Sequence, residues 1–301
     1  MSPPISFDSL PPDVAALLAR AREDLEEIVP ITGLAGKPLD DGATYQVKFR
    51  SGALAKARLC PTSEDIGYQR DALSRLPADR FPRILAVESR ASLEQWFDGE
   101  SLDSPGTTAG RLLESGRLLG LVHQTHAPEC GKAQGLRSTR ECAQRLESRI
   151  HQLISHRMID ESLAARVWNR ATEQRPEYAQ YGLSHRDFCG ENLVVCRGKV
   201  CCIDNTTFAI SALDQDLART WYRWPMSGAD WQLFLEGYGE CRDGASFLRH
   251  GLFWKAHVLT GAIVMRMRSG LPGQIERLLH RLRTTFQPPD RAASPSARPE
   301  S

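Results

Sequence analysis

Between Leu183 and Asn205 the chain reads LSHRDFCGENLVVCRGKVCCIDN, and this stretch narrows the choice of fold more than any other. Two short apolar runs, Leu193 to Cys196 and Lys199 to Ile203, flank Arg197-Gly198, a tight-turn signal, so the segment reads as a β-hairpin. A hairpin of this length brings its two ends side by side, with neighbouring strands about 5 Å apart. Asn192 and Asp204 should therefore face each other at its open end. An amide carbonyl and a carboxylate at that separation are hard oxygen ligands suited to Mg²⁺. Asp187, five residues before Asn192 on the entry loop, would lie near the metal without having to ligate it. That is where an acceptor hydroxyl needs a partner to orient it and take its proton.

The rest of the chain says what kind of body carries this hairpin. With 301 residues, 41% hydrophobic and 25% charged, it has the composition of a folded globular protein of one large domain or two packed lobes. A net charge of +1, with basic residues scattered, argues against nucleic acid or an anionic membrane as partner. No apolar run approaches the roughly 18 residues of a membrane span. The opening MSPPISFDSLPPD lacks a charged segment followed by an apolar one, so a cytoplasmic location is expected. Four of the eight cysteines fall between 189 and 202, but the spacing C-x6-C-x4-C-C lacks the paired C-x-x-C of structural zinc sites. Cys201 and Cys202 would point to opposite faces of a strand. Reduced core cysteines are expected rather than a zinc centre.

Along the chain, strands give way to helices. Residues 1–12 carry four prolines and read as flexible, and 13–29 read as an amphipathic helix. ATYQVKF, the turn Arg50-Ser51-Gly52 and ALAKARLC predict a hairpin. Pro61 to Ser63 lead into a helix over SEDIGYQRDALSRL, and FPRILAVES and ASLEQWF predict two more strands. After Gly99, residues 108–126, 138–173 and 228–286 carry helical periodicity, and 287–301 has the composition of a disordered tail. The expected architecture is α+β and bilobed. A small β-rich lobe would span 1–97, a larger and mainly helical lobe 98–286.

His185-Arg186-Asp187 with Asn192, followed by Asp204 after a hairpin, resembles the catalytic loop and metal aspartate of kinase-like enzymes. The run HRDFCGENLVV, with Asp214-Gln215-Asp216-Leu217-Ala218 downstream, resembles the aminoglycoside phosphotransferase and choline kinase family more than protein kinases. Asn205-Thr206 follows the metal aspartate where protein kinases have Phe-Gly. Only 12 residues separate Asp204 from Asp216, too few for a peptide-docking activation segment.

The resemblance implies a protein-kinase-like fold and transfer of the γ-phosphate of ATP, with Mg²⁺, to a small-molecule hydroxyl. It implies Asp187 as catalytic base, Asn192 and Asp204 as metal ligands, and His185 as a support of the catalytic loop. Asp216 would cap the following helix or anchor that loop through backbone N–H groups. A lysine on the third strand should hold the phosphates, which points to Lys56, with Arg58 on the same strand face as the competitor. An acid on the next helix should pair with that lysine; Asp71 is preferred over Glu64. The segment Leu93 to Gly99 resembles the hinge that meets the adenine edge, which brings in Gln95 and Phe97. Gly33, Gly36 and Gly42 precede the lysine hairpin without forming G-x-G-x-x-G, so the phosphate loop stays unassigned.

For the acceptor, the sequence leaves two chemistries open. Trp221, Tyr222, Trp224, Trp231, Tyr238 and Trp254, with Asp230, Glu236 and Glu240, would suit an amine. Arg219, Arg223, Arg266 and Arg268 would suit an anion or a sugar phosphate. A non-catalytic nucleotide-binding module on the same fold is the alternative to an enzyme.

Overall fold

The computed structural model describes residues 3–31, 43–103, 107–128 and 137–287, and its fold is α+β. Helix α1 (Pro12–Ala19) opens it. Strands β1 (Leu25–Pro30), β2 (Thr44–Phe49) and β3 (Leu54–Leu59) follow. Helix α2 (Ser63–Ser74) comes next, then β4 (Ile84–Glu88) and β5 (Ala91–Gln95). These five strands form one antiparallel sheet in the order β1-β2-β3-β5-β4. Gly52, at φ +82°, supplies the left-handed residue of the β2–β3 turn. The Thr62 side chain accepts from the Asp65 N–H and caps α2, as the Pro61–Ser63 signal predicts.

The sequence expectation of one helix over 13–29 is half right. The helix stops at Ala19, and Leu25–Pro30 instead adds an edge strand to the sheet, with Ile28 opposite Val47. The β-branched pair Ile28-Val29 and the helix-breaking Pro30 favour an extended chain once β2 offers a ladder. The proline-rich start is also more anchored than expected. The Ile5 N–H donates to the Ile28 carbonyl (2.9 Å), and Leu10 is buried beside Val14 and Leu18.

After the sheet, a short strand β6 (Glu100–Ser101) precedes the helices α3 (Ala109–Gln124), α4 (Thr139–Ser155) and α5 (Glu161–Glu173). The helical pattern of 138–173 is thus broken in two, with Arg157 at φ +56° in the link. Strands β7 (Tyr181–Ser184), β8 (Leu193–Cys196), β9 (Lys199–Cys202) and β10 (Ala209–Ala212) carry the informative block. β7 pairs with β10, and β8 lies between β6 and β9. Helices α6 (Leu213–Arg223), α7 (Gly228–Cys241), α8 (Ala245–Arg268) and α9 (Pro272–Thr285) complete the chain.

One core passes across residue 98. Tyr68, Leu73, Leu76 and Phe81 from the first part pack in the same cluster as Leu118, Leu193, Val200 and Phe234 from the second. Helices α3 and α7 meet at backbone distance in that cluster. A Cβ on Gly116 would overlap the Phe234 carbonyl oxygen, and one on Gly237 would overlap that of Leu113. A second cluster, on α4, α5, α8 and α9, supports the far side. No helix among the described residues is long and apolar enough to cross a membrane.

Candidate active site

The hairpin forms as read. Arg197 (φ +51°) and Gly198 (φ +77°) are both left-handed, which suits the tight turn between β8 and β9. At the other end the Ile203 N–H donates to the Asn192 carbonyl (2.9 Å), so Asn192 and Asp204 emerge side by side. Asp187 joins them through the Asn192 amide, whose Nδ2 donates to the Asp187 carbonyl (2.8 Å) and to its Oδ2 (3.1 Å).

The loop before Asp187 is held from below. Asp216 is fully buried. Its Oδ2 accepts from the His185 N–H and its Oδ1 from the Arg186 N–H, both at 2.8 Å. Arg186 sits at φ +67°, a left-handed conformation unusual for a side-chain-bearing residue, and these two bonds fix it. His123 Nε2 also reaches Asp216 Oδ2 (3.1 Å), and its Nδ1 meets the Tyr238 hydroxyl (2.9 Å). Burial alone would raise the Asp216 carboxyl, but the His123 bond and charge outweigh it and hold the group below the usual carboxylate value. His185, also fully buried, accepts the Asp187 N–H at Nδ1 (3.3 Å) and meets Cys202 Sγ at Nε2 (3.0 Å). Burial lowers its proton affinity, so it stays neutral at physiological pH.

Across the cleft, β3 presents Lys56 and Arg58, both buried. Lys56 Nζ donates to the Ile203 carbonyl (2.7 Å) and pairs with Glu94 Oε2 (2.8 Å). Arg58 Nη1 bonds Asp204 Oδ1 (3.0 Å), and its Nε lies 3.9 Å from Glu94 Oε1. Burial would raise both carboxyls. The Arg58 and Lys56 charges win, and hold Asp204 well below, and Glu94 below, their ordinary values. Asp187 in turn pairs with Arg223 Nε of α6 (3.0 Å).

The acid partner of Lys56 corrects one expectation. It is Glu94, directly opposite Lys56 in the β3–β5 register, and not Asp71. Helix α2 buries Ile66, Tyr68, Gln69, Ala72 and Leu73; Asp71 pairs one turn on with Arg75 (3.2 Å), and Glu64 is exposed. Sequence reading also missed His123 and the ion pair of Arg223 with Asp187. The one local signal for Glu94 is an acid two residues after Ser92 on the same face of the strand Ala91–Gln95.

Lys56, Gln95, Phe97, Asp187, Asn192 and Asp204 line one cavity of about 770 Å³, together with Arg58, Tyr222 and Arg223. At the expected hinge, the Gln95 N–H is taken by the Arg83 carbonyl (2.8 Å), so it does not face a ligand. The Phe97 N–H and C=O make no backbone hydrogen bond among the described residues. Gly33, Gly36 and Gly42 lie outside the described residues; Ile31 and Thr44, near either end of that segment, line the cavity.

The donor set fits a hard divalent cation. Asn192 commits its Nδ2 to Asp187, which leaves Oδ1 for a metal, and the hydrogen bonds to Asp204 among the described residues use Oδ1 and leave Oδ2. Among the described residues the third proton of the Lys56 ammonium is likewise uncommitted, as a phosphate ligand requires. No group of three or more His, Cys, Asp and Glu side chains among the described residues could hold a metal, and their seven cysteines are all free.

Among solved structures, the fold is similar to a macrolide 2′-phosphotransferase from Brachybacterium faecium, with a TM-score of 0.63 at 17% identity over 93% of this chain and 99% of that one. It is similar also to an ethanolamine kinase from Plasmodium vivax, with a TM-score of 0.60 at 14% identity over 93% and 85%. A choline/ethanolamine kinase family protein from Mesorhizobium loti gives a TM-score of 0.64 at 13% identity over 92% and 94%. These likenesses make the fold that of the kinase-like phosphotransferases. No curated protein matches the sequence. Residues 35–248, which contain strands β2 to β5 of the sheet, the hairpin and the Asp216 anchor, match a family profile directly, and the chain belongs to the phosphotransferase enzyme family.

Proposed function

We infer that the protein transfers the γ-phosphate of ATP, with Mg²⁺, to a hydroxyl of a small molecule. The observation that carries this is the convergence on one cavity of Lys56 from β3 with Asp187, Asn192 and Asp204 from around the β8–β9 hairpin, up to 148 residues away. In this reading, residues 1–97 form the nucleotide lobe and 98–286 the catalytic lobe, and the protein works in the cytoplasm. Lys56 holds the nucleotide phosphates, with Phe97 and Gln95 at the adenine end. Asn192 Oδ1 and Asp204 hold Mg²⁺, which would supply neutralisation of charge on the phosphates. Asp187, oriented by Arg223 and Asn192, accepts the acceptor hydroxyl proton. His185 and Asp216 keep the loop in shape. The named neighbours are a macrolide 2′-phosphotransferase, an ethanolamine kinase and a choline/ethanolamine kinase family protein, and on that likeness the acceptor class is a small alcohol, amino alcohol or glycoside.

Asp187→Ala tests this. Turnover of ATP with an accepted alcohol should fall by about 10² to 10⁴, the usual contribution of a positioned base. ATP affinity should stay within about threefold, since Asp187 meets the acceptor and not the nucleotide. Turnover at the wild-type rate would remove Asp187 from the role. One observation favours a second reading, a non-catalytic nucleotide-binding module: both key carboxylates already carry an arginine, Asp204 with Arg58 and Asp187 with Arg223. That reading predicts nucleotide binding with no ATP consumption by any alcohol.

A further inference from the structure

A second cavity of about 540 Å³ lies among α4, the catalytic loop, α6 and α8, and Tyr222 lines both it and the cleft. Among the described residues its wall carries six arginines, Arg137, Arg145, Arg149, Arg186, Arg219 and Arg268, and no aspartate or glutamate. The whole chain has a net charge of only +1, so this concentration of positive charge is local. Two of these guanidinium groups bond neutral acceptors, Arg149 the His257 carbonyl (2.9 Å) and Arg268 the Gln152 amide oxygen (3.3 Å). Among the described residues no carboxylate pairs with Arg137, Arg145, Arg149, Arg219 or Arg268.

The arrangement is built into the fold. Arg149 lies against α8 at Gly261, where a Cβ would come within 2.9 Å of Nη1 and 3.0 Å of Cζ. Burial, then the neighbouring Arg145, holds Arg149 below the ordinary arginine value; burial and then Arg219 do the same to Arg186. His257, 3.4 Å from Arg149, is pushed down to about 3 by burial and then by that arginine, so it adds no charge at neutral pH. Like charges held this close repel, and planar guanidinium forks match the oxygens of phosphate and carboxylate.

We propose that this cavity is an anion site that takes a phosphate or carboxylate group. It adjoins the chemistry: Arg186 precedes Asp187 in the chain, and Tyr222 precedes Arg223, which holds Asp187. The cleft beyond Asp187 also presents Arg266 and Arg277. The acids Asp230, Glu236 and Glu240, which an amine would have used, line neither cavity, and Glu240 is paired with Arg117. Resting on the phosphotransferase reading, the anion is either the charged end of the acceptor or a separate effector.

Thermal unfolding of the full chain in inorganic phosphate, against chloride at equal ionic strength, tests the site. The wild type should gain Tm in phosphate beyond chloride. Arg219→Gln should have a higher Tm without phosphate, because one like charge is gone, yet need at least tenfold more phosphate for the same gain. Gly261→Ala, which crowds Arg149, should also blunt the response. A structural arginine would instead lower Tm in both buffers when removed. An equal response to both salts in the wild type, or an undiminished phosphate response in Arg219→Gln, overturns the proposal.

ATP affinity measured on the same samples keeps the two readings apart, since loss of nucleotide binding by the wild type would strike the phosphotransferase reading and leave the anion site standing. With glycerate and glycerol 3-phosphate as trial acceptors, ATP consumption that Arg219→Gln loses would assign the anion to the acceptor. Phosphate binding by the wild type with no consumption of either would assign it to an effector.

Discussion

Replacing Glu94 by glutamine would leave two buried cations, Lys56 and Arg58, in the wall of the cleft with Asp204 as the remaining carboxylate. At an effective dielectric of about 20, the 2.8 Å Lys56 contact carries a gross attraction of about 6 kcal/mol and the 3.9 Å Arg58 contact about 4 kcal/mol. Desolvation of all three groups offsets much of that, which is why breaking a buried pair from one side costs about 3–5 kcal/mol. A loss of that size is a large share of the roughly 5–15 kcal/mol that holds a typical protein folded. Urea denaturation followed by tryptophan fluorescence reads it, with Trp96 two residues from the change. Lys56→Met/Glu94→Met removes both charges at similar volume, and should recover most of the loss.

The pH dependence has a definite sign. Folding holds Glu94 below its ordinary value, because Lys56 and Arg58 outweigh the effect of burial. Such a group contributes its full stability above about pH 4.3, the ordinary glutamate value, and loses it as pH falls toward the folded value. The gap between wild type and Glu94→Gln should therefore shrink on acidification below about pH 4. A loss under about 1 kcal/mol at neutral pH, or a double variant no more stable than the single one, would refute the idea that this acid holds the two cations.

Three further outcomes are expected. Arg223→Met should lower kcat by about ten- to a hundredfold through misplacement of Asp187, with the KM for ATP changed less than about threefold; steady-state kinetics checks both. Asp216→Asn should cost about 2–4 kcal/mol in urea denaturation, because an amide cannot accept from His123 and two backbone N–H groups at both of its heavy atoms. Gly116→Ala should destabilise by more than about 3 kcal/mol, since α3 and α7 would have to separate. Gly239→Ala, on the same helix pair but with open space around it, should stabilise by a few tenths to about 1 kcal/mol.

What could be read from the sequence was what local chemistry decides. The Arg197-Gly198 turn and its flanking strands are specified within ten residues, so Asn192 and Asp204 could be placed opposite each other without a structure. The hairpin that carries Lys56 followed equally from turns and alternation. Residues 25–30 were misread because nothing within that window shows that β2 offers an open edge; a helix-compatible stretch became a strand through a partner beginning 14 residues after it ends. Glu94 was hidden for the same reason, as its pairing depends on the register between β3 and β5, 38 residues apart. His123 and Asp216 stand 93 residues apart, and their helices could each be read while their contact could not. The arginine-lined cavity gathers four elements, and its charge is invisible in a chain whose net charge is near zero.

The position of Glu94 changes what can disturb the site. Where the acid that pairs with the phosphate-binding lysine stands on a helix, moving that helix breaks the pair, and activity becomes sensitive to helix position. Here the pair is a cross-strand neighbour pair within one antiparallel sheet, and its geometry is fixed by the same hydrogen-bonded register that makes the sheet. Helix α2 does not supply the acid that pairs with Lys56, and contributes Tyr68, Ala72 and Leu73 to the core it shares with the catalytic hairpin. The β3 side of the cleft is therefore set when the sheet forms. What remains free to adjust is the approach of the hairpin to that sheet, made through Lys56 with the Ile203 carbonyl and Arg58 with Asp204. Both contacts end within one residue of each other on the hairpin, so a ligand that competes for Asp204 acts on the very pair of bonds that joins the two halves of the site.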